Sequence, residues 1–580
     1  MWKKSWQLVK SLCTILGCLV LIGGFVFSIY RWYASDAVYI PENSALVIDF
    51  TQNINETGEN SLLDELQDTS VLRLQSLLQA IELAAVDENI KTLLVRLDTT
   101  DLEMAQIEDV ARSVIAFRAT GKKAYVFSQG FGPLGQGNRE YYLATFFDKI
   151  YMQPHTTIGL TGVSVEVPFF KKLLQKLGIS AEFYTRYEYK TAMMSLTNAA
   201  LSPAYKQELQ NLTDGIMQVL TAEIARNRKL ENVMDIVNKA PLSAEDGLSL
   251  GLIDGILYLP DLQEQLQQNE QVENFIDIKD YIKAIKPNEG DIPVIAYLTL
   301  SGMIDKGESS ADFSDEYTIG SQDVLADIAE IADMPNLKAV IVRIDSPGGD
   351  YNAADEIYYA LQKLKQDKKV PIIVSQGGYA ASGGYFISLA GDKIIAEPLT
   401  VTGSIGVLGG KPVFKDLWKK IGVNWAEIKN GRNADILSIN QPFSAEEKQI
   451  FNRFLDDVYE DFTQKVVTNR PLKADIDEIA RGRVWLGWQA KELGLVDELG
   501  GYGEAFAAAQ QLAGLKPDEK FTLVEYPKAK SFSEKITALL LGQEVRLSKL
   551  ITQSGVDIRY LKLFKRLQYD TVIAPFEIKM

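Results

Sequence analysis

Short runs of consecutive apolar residues alternate with longer stretches in which apolar positions recur every three or four residues. This alternation occurs twice along the chain. The first series predicts a strand at 45–50, a helix near 71–85, a strand at 92–97, a helix around 107–118 and a strand at 124–128. A glycine-rich loop follows at 130–137, then amphipathic helices at 171–177 and 203–226. The second series opens with a strand at 293–300. It continues with a helix at 323–332, a strand at 339–344, a helix at 353–366, a strand at 371–375 and a long amphipathic helix at 444–468. Strands and helices alternating at this spacing predict a largely parallel sheet with crossover helices, an α/β fold.

The two series are copies of one segment. Asn89-Ile-Lys-Thr-Leu-Leu-Val-Arg-Leu-Asp98 matches Asn336-Leu-Lys-Ala-Val-Ile-Val-Arg-Ile-Asp345, an offset of 247 (336 − 89). Gly251-Leu252-Ile253-Asp254 matches Gly494-Leu495-Val496-Asp497, an offset of 243 (494 − 251). Two tandem domains of one kind follow, 44–260 and 291–514. The polar stretch 261–290 is expected as a linker. Residues 515–580 have no partner in the first copy; they carry an apolar run at 536–541 among lysines and arginines. The copies differ where chemistry would occur. Only the second has Ser346-Pro347-Gly348-Gly349 and Ala381-Ser382-Gly383-Gly384-Tyr385; the first has Asp98-Thr-Thr-Asp101 at the former position.

Residues 11–30 contain no charged side chain, long enough to span a bilayer. Lys3, Lys4 and Lys10 precede this run, against Arg31 just after it. That asymmetry predicts residues 1–10 in the cytoplasm, an anchor at 11–30, a tether at 31–43 and everything later outside. A cleaved signal peptide is the rival reading, since Ala34-Ser35-Asp36-Ala37 offers small residues. The sequence ending at Cys18 faintly resembles a lipoprotein site.

Composition narrows the chemistry. The chain has 580 residues, 46% apolar and 24% charged, with a net charge of −17. That balance argues against nucleic acid as a partner. Its one histidine, His155, lies in the first copy, and its two cysteines, Cys13 and Cys18, lie in the N-terminal apolar run. A zinc site of nitrogen and sulfur ligands is therefore not expected. Nucleophilic catalysis in the second copy must use Ser or Thr, with lysine or a carboxylate as base unless His155 reaches across.

Two glycine turns are candidates for that chemistry. Gly348 and Gly349 follow a strand, and their amides can turn toward a ligand and form an oxyanion hole. A tight turn needs no more than this. Ser382 also follows a strand and precedes an apolar helix, where serine is equally a preferred N-cap. A serine nucleophile needs a proton acceptor. A lysine in that role must fall about 3 units from its usual pKa, about 4 kcal/mol of disfavoured charge, normally through burial. Lys393 is the nearest downstream, but its counterpart Lys149 occurs in the copy lacking the serine turn. Spacing alone leaves the lysine open.

These motifs, with Thr402-Gly-Ser-Ile-Gly-Val407, resemble the membrane-anchored signal peptide peptidases of serine protease family S49, in their long two-domain form. The resemblance covers nearly the whole chain. It implies two tandem Clp protease/crotonase-like domains. It implies Ser382 as nucleophile and, from Tyr189-Lys190-Thr191-Ala192 in the first domain, Lys190 as general base, with Tyr187, Tyr189, Met193 and Met194 able to desolvate its amine. Ser404 then orients the lysine, and Gly348 and Gly349 match the oxyanion region. It further implies a homotetramer, no metal or nucleotide cofactor, and apolar signal-peptide remnants as substrate at a bacterial inner membrane, with the globular part in the periplasm. Two other readings stand beside it: a catalytically silent membrane scaffold, and a crotonase-like acyl-CoA enzyme.

Overall fold

The computed structural model describes residues 39–58, 71–132, 135–285, 292–311, 317–516, 519–528 and 572–573. The expected anchor at 11–30, most of the tether and the apolar run at 536–541 lie outside them. Among the described residues, no helix is long and apolar enough to cross a membrane.

Each copy builds a six-stranded sheet in the same order. In the first, the strands run Gly255–Ile256, Lys149–Met152, Lys123–Ser128, Ile90–Arg96, Ser44–Asp49 and Asn274–Asp277, all parallel. In the second they run Glu498–Leu499, Lys393–Ala396, Ile372–Ala381, Leu337–Ser346, Val294–Ser301 and Thr522–Tyr526. This order corrects the boundaries expected from sequence. Residues 259–284 are no linker: they form the helix Leu259–Asn269, the edge strand Asn274–Asp277 and the helix Ile278–Ala284. Thr522–Tyr526 is the matching edge strand of the second copy, so the repeat runs past 514. Polar exposed faces hid both additions.

Alternation along the second sheet explains how the copies fuse. Ile295, Tyr297, Ala339 and Ile341 face the first domain and share one core with its helices Leu74–Val86 and Met104–Ala119. Ala296, Leu298, Val340 and Val342 point the other way, into the second domain's own core. Arg343, next on the shared face, is buried between two first-domain carboxylates, 2.8 Å from Glu56 and 2.6 Å from Asp109. The two copies therefore form one body, with side chains of each held against the other.

Candidate active site

The strand Ile372–Ala381 runs longer than expected and ends directly at Ser382. Ser382 has φ 57° and ψ −114°, a conformation few non-glycine residues adopt. It precedes the helix Gly383–Ser388, yet its hydroxyl caps none of that helix's amides. The capping role open to a serine here is unused, and its hydroxyl meets a lysine instead. In the first copy Tyr141 matches Tyr385, each donating its hydroxyl to a backbone carbonyl, Leu252 O and Leu495 O. The same offset sets Asn138 at the position of Ser382. Its amide is buried and closed on the backbone of Gly162.

Lys190 reaches this serine from the first domain. The strand Ser180–Thr185 pairs antiparallel with Leu408–Val413 of the second, and the chain then turns inward. Arg481 pairs with Glu188 at 2.9 Å and lies over the Tyr187 ring, while Arg483 lies over the Tyr189 ring. Gly482 has φ +89°, and a Cβ there would sit 2.6 Å from Lys190 Cα. Only glycine lets the second domain close so tightly on the lysine.

Lys190, Ser382 and Ser404 are all fully buried. Lys190 Nζ lies 2.6 Å from Ser382 Oγ, 3.0 Å from Ser404 O and 3.0 Å from Ser404 Oγ. A neutral amine has two N–H groups and one lone pair. The Ser404 carbonyl can only accept and takes one N–H; Ser404 Oγ takes the other; the lone pair is left for the Ser382 hydroxyl. Burial pushes the Lys190 amine down to about 7, against a smaller upward pull from Glu208. Backbone of the second domain supplies that burial, together with Gly406, whose added Cβ would lie 3.3 Å from Lys190 Cδ. The expected tyrosine shell does not: Tyr187 is 43% exposed.

Glu208 is a site residue the sequence did not disclose. Its carboxylate accepts from Thr191 Oγ1 at 3.1 Å and from Val484 N at 3.2 Å, tying the lysine loop to the second domain. Burial raises it to about 8. Its only sequence signal is an acidic residue on the apolar face of the helix Pro203–Arg228, where Leu209 and Leu212 are also buried.

Gly348–Gly349 pairs with Ile304, and Asp350 N donates to Ile304 O at 2.9 Å. In a parallel ladder that turns the Gly349 amide to the opposite edge. The Gly348 amide donates to Ser346 Oγ at 3.2 Å. A Cβ added to Gly383 would lie 3.3 Å from Gly349 N, so the two glycines stand side by side next to Ser382. Along the same edge, Val572–Ile573 pairs antiparallel with Gly348–Gly349. The other candidates lie apart: Lys393 is paired with Glu498 at 2.5 Å, and His155 is exposed. Among the described residues no group of His, Cys, Asp and Glu is placed to hold a metal.

Known proteins match this arrangement. The profile of Peptidase family S49 matches residues 116–273 and 364–516, one match in each copy, and that of Clp protease matches 317–400. The chain is 30% identical over 527 residues to "Serine protease SPPA, chloroplastic" of Arabidopsis thaliana, covering 87% of this chain and 77% of that one. It is 30% identical over 459 residues to "Protease 4" of Haemophilus influenzae, covering 76% and 73%. It is 31% identical over 283 residues to "Putative signal peptide peptidase SppA" of Enterococcus faecium, covering 48% and 79%. A solved structure of a ClpP1 mutant from Listeria monocytogenes aligns with 36% of this chain and 93% of its own, at 16% identity and a TM-score of 0.23.

Proposed function

The chain belongs to peptidase family S49 as a tandem two-domain serine peptidase, and we propose that it cuts peptides with a Ser-Lys pair split between its two copies. The observation that carries this reading is the buried 2.6 Å contact between Lys190 Nζ and Ser382 Oγ. Neutral Lys190 takes the hydroxyl proton as Ser382 Oγ attacks the substrate carbonyl. The Gly349 and Gly383 amides receive the oxyanion. As the C–N bond breaks, the Lys190 ammonium gives its proton to the leaving amine, leaving an acyl-enzyme. Lys190 then takes a proton from water as that water attacks the ester, and Ser382 is released with a carboxylate product. Ser404 holds the amine so that its lone pair faces the serine.

The substrate class we propose is an extended apolar peptide, such as a signal-peptide remnant. The edge of Gly348–Gly349, which already pairs with Val572–Ile573, suits the antiparallel addition of a substrate strand. Residues 11–30 would anchor a homo-oligomer in a bacterial inner membrane with the globular part in the periplasm. A silent scaffold is disfavoured by the cost of keeping a buried amine depressed to about 7, which packing alone does not require. The acyl-CoA reading leaves the Lys190–Ser382 contact without a role. The test is hydrolysis of a fluorogenic apolar peptide by the full chain in detergent micelles. Ser382→Ala is expected to abolish turnover while melting as the parent does, because the hydroxyl caps no helix. Retained turnover refutes the assignment.

A further inference from the structure

The two copies join through one strand pairing, and the repeat implies a second pairing that a single chain does not make. Ser180–Thr185 of the first copy pairs antiparallel with Leu408–Val413 of the second. Gly178 and Gly422, both left-handed, follow the matching helices Lys171–Leu177 and Lys415–Lys420, at an offset of 244 (422 − 178). By that offset the counterpart of Leu408–Val413 is 164–169, and the counterpart of Ser180–Thr185 is 424–429. Val163 to Phe169 is alternately half-buried and exposed, as an edge strand would be, and every residue from 424 to 429 is exposed.

Apolar exposure follows the same logic. Ile179 and Leu417 cover each other within one cluster; their counterparts, Val423 and Leu173, are 38% and 51% exposed. The Tyr184 ring packs on Phe443, which is 4% exposed. The helices after Phe443 and Leu201 begin at the N-caps Ser444 and Ser202, an offset of 242 (444 − 202). The counterparts of Tyr184 and Phe443 are thus Ile428, fully exposed, and Leu201, 41% exposed. Each residue buried by the intrachain pairing has a bare twin.

We propose that residues 424–429 of one copy pair antiparallel with residues 164–169 of the next, reproducing between chains the contact made within each. This rests on the reading of the chain as a homo-oligomer and names the surface that forms it. Each copy then carries one donor strand and one acceptor edge, a head-to-tail contact that closes into a ring where the rotation permits. The register sets Val167 opposite Ala426 and Trp425 opposite Pro168, as Pro412 stands opposite Ala181 within the chain. It also sets Glu166 opposite Glu427, a like-charge pair. Lys429, 4.0 Å from Glu427, offsets part of that repulsion.

The test uses the full chain in detergent with Cys13 and Cys18 replaced by serine. The pair Val167→Cys with Ala426→Cys is expected to give intermolecular disulfides under mild oxidation, because directly opposed residues have Cα atoms about 4.5–5.5 Å apart. Neither single variant should cross-link alone, but a mixture of the two should give dimers. Leu173→Glu and Trp425→Glu should each weaken self-association at least ~10-fold by sedimentation equilibrium. A monomeric wild-type chain overturns both the oligomer and the pairing. A wild-type oligomer that forms no such disulfide overturns the pairing alone. So does quenching of Trp425 fluorescence by brominated lipid without cross-linking, which would assign this face to the bilayer. Peptide hydrolysis, measured in parallel, reports separately on the catalytic reading.

Discussion

Replacing Lys190 by methionine should abolish catalysis and reverse its effect on stability between acid and alkaline pH. Burial moves the amine from 10.5 to about 7. That shift of about 3.5 units corresponds to ~5 kcal/mol of disfavoured charge when the group is protonated. Lys190 is fully buried, so solvent screening does not reduce the figure. Its three contacts with Ser382 and Ser404 return about 1 kcal/mol each. At pH 6 the methionine variant should therefore be more stable than wild type by roughly 2 kcal/mol, an apolar chain of similar length replacing a strained charge. The sign with pH follows from proton binding. The unfolded lysine holds its proton up to its ordinary pKa and the folded one loses it near 7, so wild-type stability rises with pH across that window. By pH 10 most of the proton cost is gone and the lost hydrogen bonds leave the variant less stable. Glu208 acts in the same direction, since without a nearby cation its ionisation above about 8 becomes costlier. The assay is thermal melting of both proteins in detergent at pH 6 and pH 10, with turnover measured beside it. The variant should melt a few degrees higher at pH 6 and lower at pH 10, with activity down at least ~10²-fold. A melting difference that does not change with pH would refute the claim that burial holds this amine depressed.

Glu208→Gln removes the carboxylate that pulls the Lys190 proton affinity upward while keeping a side chain able to bond Thr191 and Val484. The acidic limb of its kcat/KM profile should move to lower pH, and a move upward would contradict the assigned electrostatics. Arg343→Ala leaves Glu56 and Asp109 buried without their cation. It should cost about 3–5 kcal/mol in denaturant unfolding, and a loss below ~1 kcal/mol would show that the interdomain cluster does not hold the copies together.

The sequence disclosed the duplication, the sheet class and the serine turn because each leaves a local signal: matched segments, alternating strands and helices, glycines beside a serine. Ser382 could be singled out from its neighbours alone. Lys190 could not, since what distinguishes it is burial by residues some two hundred positions later, around Ser404, Gly406 and Gly482; the family resemblance supplied it. Glu208 escaped for the same reason, because a carboxylate on an apolar helix face reads as a surface residue until its partners are known. The linker expected at 261–290 was misjudged because an amphipathic edge strand and two helices with polar outer faces have the composition of a tether. Copy symmetry, once seen in the strand order, recovers what composition hid, including the bare twins at Leu173 and Ile428.

The account's central claim is that a lysine of one copy deprotonates the serine of the other. It is tested most directly by the pH dependence of kcat/KM for an apolar peptide, which reports the free enzyme's essential base. Wild type should rise through a single apparent pKa near 7, where burial sets Lys190. Activity that kept rising toward the ordinary lysine pKa, or that survived in Lys190→Arg with an unchanged profile, would contradict it.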